Sequence, residues 1–440
     1  MREPESWGRF PRARHAAVVP VRWATAEALR CAPGLPRLPH GLGRSYGDVC
    51  LNDGGVLLTT RTLDRFVALD EDAAVLTCEA GVSLAEILEL IGPRGMWLPV
   101  VPGTKHVTVG GAIANDVHGK NHHRAGTFGR HVLEIEVARS TGERIVCSPT
   151  RNAALFAATV GGLGLTGLVL RATLRLVRVG ADRLRATTVP LGSLDEFFAR
   201  AGASDAGHEF TAAWVDCLAG GRRLGRGLLH QGDWEAAEPR PARRKRPGAR
   251  LGIPFPLPVP VLNRFTVRAF NAVVHARGRL APGERRVRAD AFFFPLDGVE
   301  RWNRIYGRAG LLQFQCAIPP AASPEAMRAL LAAVSASGQG SFLGVLKNFG
   351  PLASPGLLSF PREGTTLALD FPNRGARTAR LFGELHAIVR AHEGRLYPAK
   401  DALMDPAQFR AQHGDALPAF LAQRDPAFSS SLWRRVMPDA

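Results

Sequence analysis

The residues whose types and spacing most directly imply chemistry lie in two glycine-dense stretches, Gly41-Leu-Gly-Arg-Ser-Tyr-Gly-Asp48 and Pro102-Gly-Thr-Lys-His-Val-Thr-Val-Gly-Gly-Ala-Ile-Ala-Asn-Asp-Val-His-Gly-Lys120. Glycine takes positive φ and lets the main chain approach a ligand closely, so successive N–H groups can converge on phosphate oxygens. A large anionic cofactor carrying a pyrophosphate suits such a cradle. A Rossmann site needs G-x-G-x-x-G after a strand and opening a helix. The first stretch is spaced G-x-G-x-x-x-G. The required spacing occurs only at Gly162-Leu-Gly-Leu-Thr-Gly167, with Asp182 downstream. There the context is inverted: Asn152 to Val160 reads as a short helix, and Leu168 to Val177 alternates apolar and charged residues like a strand. The order helix, glycine turn, strand argues against a Rossmann unit.

Taken together, Gly41 to Asp48, Pro102 to Lys120 with Asn121-His-His123, and Thr159-Val-Gly-Gly-Leu-Gly-Leu-Thr-Gly167 resemble the flavin domain of the vanillyl-alcohol-oxidase superfamily, the PCMH-type FAD-binding fold. The likeness continues through Phe294-Pro-Leu-Asp297, Trp302-Asn-Arg-Ile-Tyr-Gly307, Leu346-Lys-Asn-Phe-Gly350, Asp370-Phe-Pro372 and Gly394-Arg-Leu-Tyr-Pro-Ala-Lys-Asp401, over nearly the whole chain. Within the superfamily it is to the decaprenylphosphoryl-β-D-ribose oxidase family. The resemblance implies an α+β protein of two domains. An FAD-binding domain would span 1–180 and be completed by 395–440. A substrate-binding domain of antiparallel sheet and helices would span 181–394 and carry a mobile basic, proline-rich loop over about 235–262. The implied reaction is FAD-dependent oxidation of the ribose C2′ hydroxyl of decaprenylphosphoryl-β-D-ribose, or a similar polyprenyl-phospho-ribose, to the 2′-keto sugar. A separate keto-sugar reductase would then complete the epimerisation that makes the arabinose donor for cell-wall arabinan.

Flavin enzymes oxidise alcohols by moving hydride from carbon to the flavin N5 while a proton leaves the hydroxyl, so few protein groups are needed. By the resemblance, Lys400 contacts flavin and substrate, where an ammonium would stabilise a developing alkoxide or hold a phosphate. Tyr46 and His118 match positions lining the flavin and complete the catalytic set. The cofactor would lie against Gly41, Gly43, Arg44, Ser45, Tyr46, Gly47, Pro102, Gly103, Thr104, Thr108, Gly110, Gly111, Asn115, His118, Gly119, Asn121, Gly164 and Lys400. Arg44 stands where many superfamily members carry a histidine bonded to the flavin; a guanidinium cannot make that link, so the FAD is expected to be non-covalent. Trp302, Gln313, Gln315, Lys347 and Asp370 correspond to substrate-pocket residues, the lysine suited to a phosphate and the amides to ribose hydroxyls. Mycobacterial members have a pocket cysteine two residues before the Asp-Phe-Pro segment; this chain has Ala368. A metal site at His118, His122 and His123 lacks a completing carboxylate or cysteine, and Gly119 discourages a helix there, so no metal is expected.

The formal charge of +17 and a pI near 10.8 favour anionic partners, whether phosphorylated substrates, lipid headgroups or nucleic acid. Arginine-rich coding in a GC-rich genome gives the same excess with no function attached. The basic run Pro239-Arg-Pro-Ala-Arg-Arg-Lys-Arg-Pro247 lacks interleaved aromatics, so nucleic acid is not an expected partner. It is followed by Leu251-Gly-Ile-Pro-Phe-Pro-Leu-Pro-Val-Pro-Val-Leu262, too proline-rich for a helix. Cationic residues beside an apolar segment suit a peripheral membrane contact; the other reading is an extended segment packed on its own domain. Six scattered cysteines with no C-x-x-C pair fit neither a zinc site nor a small secreted disulfide scaffold. His15 to Val21 is too short and proline-broken for a signal-peptide core, and no apolar run has membrane-spanning length. The expectation is a protein made in the cytoplasm and peripheral at the cell membrane, with a periplasmic site of action left open. A flavoenzyme of a soluble sugar, alditol or nucleoside is the alternative that needs no lipid contact.

The elements that must position these residues are legible in outline. Strands are expected at Val56–Thr60 and Val75–Glu79, and a helix from Ser83 as N-cap to about Ile91. In the second half, a strand near Gln313 to Ile318 precedes a helix with Ser323 as N-cap, Pro324 at N1 and Gly338 past its end. Strands follow near Phe342 to Lys347 and Thr366 to Phe371, then a helix from about Ala376 to Ala391.

Overall fold

The computed structural model describes residues 4–25, 29, 34–180, 182–236, 251–258, 261–280 and 283–439. Most of the expected basic loop, 237–250 together with 259 and 260, lies outside the described residues.

The N-terminal part carries two sheets. Ala17–Pro20 and Arg37–His40 flank the central strand Val56–Thr59 in a parallel arrangement. An antiparallel sheet runs in the order Phe66–Asp70, Val75–Glu79, Leu168–Arg175, Val132–Ala138, Arg144–Cys147. In the second of these strands Leu76 and Cys78 are fully buried while Val75 and Thr77 are less so, the period-two pattern of a strand with one face on a core. Helix Leu84–Ile91 starts as expected at Ser83: its hydroxyl accepts from the Glu86 N–H at 3.3 Å, and its own N–H donates to the Glu86 carboxylate at 2.7 Å. The helix Ala153–Thr159 does precede the glycine turn and the strand Leu168–Arg175, the order that excludes a Rossmann reading.

The second half is organised by one antiparallel sheet of eight strands, in the order Gly283–Arg288, Arg183–Leu191, Gly227–Trp234, Phe210–Val215, Gly344–Phe349, Gly364–Pro372, Leu311–Ile318, Arg395–Leu396. Alternation along these strands gives the sheet two different faces. Ala213, Leu229, Phe314, Cys316, Leu346, Leu367 and Leu369 join a core shared with helices Leu194–Gly207, Ser323–Ser337 and Ala376–Ala391. Their neighbours in sequence, among them Gln313, Gln315, Lys347, Ala368 and Asp370, face a cavity toward the glycine-rich stretches. After the edge strand Arg395–Leu396 the chain returns to the N-terminal part through helices Pro406–His413, Leu417–Gln423 and Ser431–Val436. Arg435 of the last grips the Asp48 carboxylate at 2.7 and 2.9 Å.

One local expectation is corrected. Ser323 is not an N-cap: a short turn of 3-10 helix over Pro320–Ala322 leads straight into the helix, and the Ser323 hydroxyl donates to the carbonyls of Ile318 and Pro319 at 3.0 and 2.9 Å. A helix over Arg264–Leu280 was not anticipated. Asn263 starts it, its side-chain oxygen accepting the N–H groups of Phe265 and Thr266, and Asn271 ties it to the sheet through the Asp216 carboxylate at 2.8 Å.

Candidate active site

A cavity of about 860 Å³ lies between the glycine-rich stretches and the open face of the eight-stranded sheet. The two stretches meet at Gly41, where an added Cβ would stand 2.3 Å from the Thr108 hydroxyl. Gly43 has φ +59°, and a Cβ there would lie 2.5 Å from the Glu5 carbonyl, so both conformation and space demand glycine. Thr108 in turn accepts the Gly111 N–H at 3.1 Å. The Arg44 guanidinium stacks 4.1 Å over Trp7 while its Nε donates to the His106 carbonyl. The Pro102–Thr104 turn is clamped from the other half of the chain: Asp297 accepts the Thr104 hydroxyl at 2.7 Å and the Lys105 N–H at 2.9 Å.

Facing this cradle is a polar cluster. Lys347 Nζ sits 3.0 Å from His118 Nδ1 and also donates to the Gly119 carbonyl. The other imidazole nitrogen lies 3.0 Å from the Gln315 amide. It is the Gln315 amide nitrogen that faces the imidazole, and it also donates to the Thr366 hydroxyl at 3.2 Å. Burial holds His118 well below the ordinary imidazole range, and the nearby Lys347 ammonium adds to this. Burial, with Lys120 and Lys400 nearby, pushes Lys347 down to about 7. Gln313 donates to Asp370, whose carboxyl is raised by burial. Lys400 lies 4.2 Å over the Tyr46 ring; burial lowers its pKa and the Asp370 carboxylate opposes that shift. Its backbone is fixed by an N–H to the Tyr397 carbonyl at 2.9 Å, and the next residue, Asp401, is held by buried His386 at 2.7 Å. Tyr46 is kept protonated by burial.

Past Lys347 the cavity turns apolar. Val345 shares its face of the strand with Lys347 and is paired across the sheet with Trp214, which is paired with Leu228. Phe270 and Val274 of helix Arg264–Leu280 close this arm from above.

Of the residues singled out from sequence, Gly41, Gly43, Arg44, Ser45, Tyr46, Pro102, Gly103, Thr104, Thr108, Gly110, Gly111, Asn115, His118, Gly119, Gly164, Trp302, Gln313, Gln315, Lys347, Asp370 and Lys400 all line the one cavity. Gly47 and Asn121 do not. Gly47 backs onto Ala402, 3.1 Å from where its Cβ would stand, and the Asn121 amide donates away from the cavity to the Pro99 carbonyl at 2.9 Å. His122 and His123 diverge from His118: the His122 ring packs 4.5 Å from Phe349, and His123 meets the His208 carbonyl. Among the described residues no cluster of three or more histidine, cysteine or acidic side chains is placed to hold a metal.

Sequence reasoning gave no role to Lys120, whose ammonium donates to the Phe292 carbonyl over the Phe292 ring and is pushed down to about 8 by burial, nor to Trp214 and His230. A signal for Lys120 was available. The chain has five lysines, Lys105, Lys120, Lys245, Lys347 and Lys400, within a combined lysine and arginine count of 56. Three of them line this cavity.

The cavity is large enough for a cofactor-sized ligand, and its unpaired oxygens call for hydrogen-bond donors on that ligand. Glycine backbone lines one wall, and the buried oxygens Asn115 Oδ1, Gln313 Oε1 and Asp370 Oδ2 have no protein partner. Comparison with known proteins agrees. Residues 22–148 match the FAD binding domain family. The chain is 36% identical over 404 residues to decaprenylphosphoryl-beta-D-ribose oxidase of Mycolicibacterium smegmatis, covering 89% of this chain and 86% of that protein. It is 37% identical over 372 residues to an uncharacterized protein of Streptomyces coelicolor, covering 81% of this chain and all of the other. L-gulonolactone oxidase of Scyliorhinus torazame is 29% identical over a shorter stretch, 35% of this chain and 36% of that enzyme.

Proposed function

This chain belongs to the decaprenylphosphoryl-β-D-ribose oxidase family, and from that premise we infer that it is an FAD-dependent oxidoreductase of the ribose C2′ hydroxyl of decaprenylphosphoryl-β-D-ribose, yielding the 2′-keto sugar. The observation that carries this reading is that one cavity brings together the glycine cradle, with His118 near the end of its second stretch, and the lysines Lys347 and Lys400 from distant parts of the chain. When bound, FAD supplies the acceptor for the hydride that leaves C2′.

The chain's own residues manage the proton and the pose. Lys400, lowered toward neutrality by burial, takes the hydroxyl proton as an amine; a base poised near the working pH does this most efficiently. Tyr46 beneath it, held protonated, is a hydrogen-bond donor at the reacting centre. Lys347 in its ammonium form faces the substrate phosphodiester, and Gln313 and Gln315 face the ribose hydroxyls. His118, kept neutral, holds Lys347 and Gln315 in place. In this reading 1–180 with 395–440 hold the flavin and 181–394 hold the substrate. The flavin is dissociable, because Arg44 offers no nucleophile to it; acid precipitation should leave the yellow colour in the supernatant. The product passes to a separate reductase, and the enzyme works as a peripheral protein at a membrane surface, where its lipid-linked substrate resides.

An anaerobic titration of the flavin-loaded protein with polyprenyl-phospho-ribose tests the reading. Stoichiometric bleaching of the oxidised flavin band is expected. A band that stays unchanged moves the substrate to a soluble sugar, alditol or nucleoside.

A further inference from the structure

Helix Arg264–Leu280 has two apolar faces, and only one is covered. Val267 and Asn271 are buried against the sheet, and a Cβ on Gly278 would stand 2.3 Å from Leu228, so this side sits directly on the strands. On the opposite side Phe265, Ala269, Ala272, Val273, Ala276 and Leu280 recur at helical spacing, and all are exposed. The large ones are open to an unusual degree: Phe265 is 74% exposed, Val273 55% and Leu280 84%. Scattered single apolar residues on a surface need no explanation, but a continuous stripe along a four-turn helix does.

The charges around the stripe indicate what covers it. The helix carries Arg264, Arg268, Arg277 and Arg279 and no aspartate or glutamate. At 100° per residue Arg268 and Arg279 fall on one side of the stripe and Arg277 on the other. An apolar strip between rows of cations matches an anionic lipid surface, in which the strip enters the acyl boundary and the guanidinium groups reach headgroup phosphates. Leu251 and Phe255, 79% and 59% exposed, are further exposed apolar residues on the segment whose strand Leu251–Gly252 pairs with Val299–Glu300, two residues that line the cavity.

The covered face of the same helix roofs the apolar arm of the cavity through Phe270 and Val274. We propose that helix Arg264–Leu280 is a membrane-seated lid, its outer stripe embedded in an anionic lipid surface and its inner face guiding the isoprenoid chain of the substrate from that surface along Trp214, Leu228 and Val345 to Lys347. The guiding part rests on the substrate reading above; the membrane seat does not.

Sedimentation of the full-length, flavin-loaded protein with phosphatidylcholine vesicles, with and without phosphatidylglycerol, tests the seat. Wild type should bind only the anionic vesicles, and the triple variant Phe265→Glu, Val273→Glu, Leu280→Glu should lose about tenfold or more of that partitioning. A second variant, Arg264, Arg268, Arg277 and Arg279 all to Gln, should lose the preference for phosphatidylglycerol while leaving the helix intact by circular dichroism. Wild type that ignores anionic vesicles, or a triple variant that sediments like wild type, overturns the proposal. The route is read from turnover. The triple variant should show a raised KM for substrate embedded in vesicles and an unchanged one for a water-soluble, short-chain prenyl-phospho-ribose. Equal effects on both, or on neither, would overturn the guiding role. If the short-chain donor fails to bleach wild-type flavin while the vesicle results hold, it is the sugar assignment that falls and the membrane seat that stands.

Discussion

At the polar end of the cavity, Lys347, His118 and Gln315 form one buried hydrogen-bonded group and Gln313 with Asp370 another. At the end under helix Arg264–Leu280, Trp214, Leu228, Val345, Phe270 and Val274 offer only shape and apolar surface. Low dielectric and fixed partners make the first end sensitive to single atoms, since a buried polar group left unpaired is costly. The second end tolerates variation in what fills it, because apolar contact is non-directional. A substrate with a sugar phosphate at one end and an isoprenoid at the other meets both regimes. Substitutions at the polar end should therefore act on the chemical step and on charge recognition, and substitutions at the apolar end on affinity for the chain alone.

The largest expected effect is from Lys400→Met, which removes the amine at the reacting centre. Turnover should fall by about 10²- to 10⁴-fold, the range for loss of a general base, while flavin content stays at wild-type level. Turnover within a factor of a few of wild type would break the assignment of chemistry to the polar end. Next is Lys347→Met. Losing one charge-assisted contact to a phosphate should lower kcat/KM by about 10- to 100-fold. The pH profile sharpens this. The Lys347 ammonium is present below about 7 and lost as pH rises through it, so wild-type kcat/KM for the phosphate-bearing substrate should decline on the alkaline side. The variant should lack that limb, and a variant that kept it would show that another group carries the phosphate.

How far these two ends are legible from sequence follows from the same contrast. The glycine cradle is visible because its signal is the residue type itself: glycines mark Gly41 and Gly43, where a Cβ would collide with Thr108 and the Glu5 carbonyl. Helix Leu84–Ile91 is visible because its capping box, Ser83 with Glu86, lies within four consecutive residues. Ser323 misled because Ser-Pro-Glu is a helix-start pattern, and the competing hydrogen bonds to Ile318 and Pro319 depend on the preceding turn. The apolar arm is invisible, since Val345, Trp214 and Leu228 come from three separate strands and meet only through the sheet order. Helix Arg264–Leu280 escaped detection because apolar residues on both faces blur the single stripe by which a surface helix is recognised. Lys347 and Lys400 entered by family resemblance, and no local pattern could place them 3.0 Å from His118 or over Tyr46.

At the apolar end, Phe270→Ala should raise KM for a long-chain donor about tenfold or less, the worth of one partly exposed aromatic. It should leave kcat, and KM for a short-chain donor, as they were. A fall in kcat would mean that the helix shapes the reacting centre as well as its approach.

The smallest expected change concerns Ala368, which lies on the cavity face between the two ends, paired with Gln315 on one side and Val345 on the other. Burial pushes the thiols of Cys50, Cys78, Cys147, Cys217 and Cys316 up to about 12, so none of them presents a thiolate near neutral pH. Ala368→Cys adds one sulfur to a cavity wall flanked by Lys347 and needs no backbone movement, so turnover should stay within about twofold of wild type. Its consequence is chemical. A thiol-reactive probe small enough to enter the cavity should modify the peptide containing residue 368 in the variant, with wild type unmodified there and at the buried Cys78, Cys147, Cys217 and Cys316. Protection by long-chain donor but not by free ribose would place position 368 where the sugar phosphate gives way to the isoprenoid. Protection by ribose alone would shift that boundary toward Val345 and shorten the apolar arm accordingly.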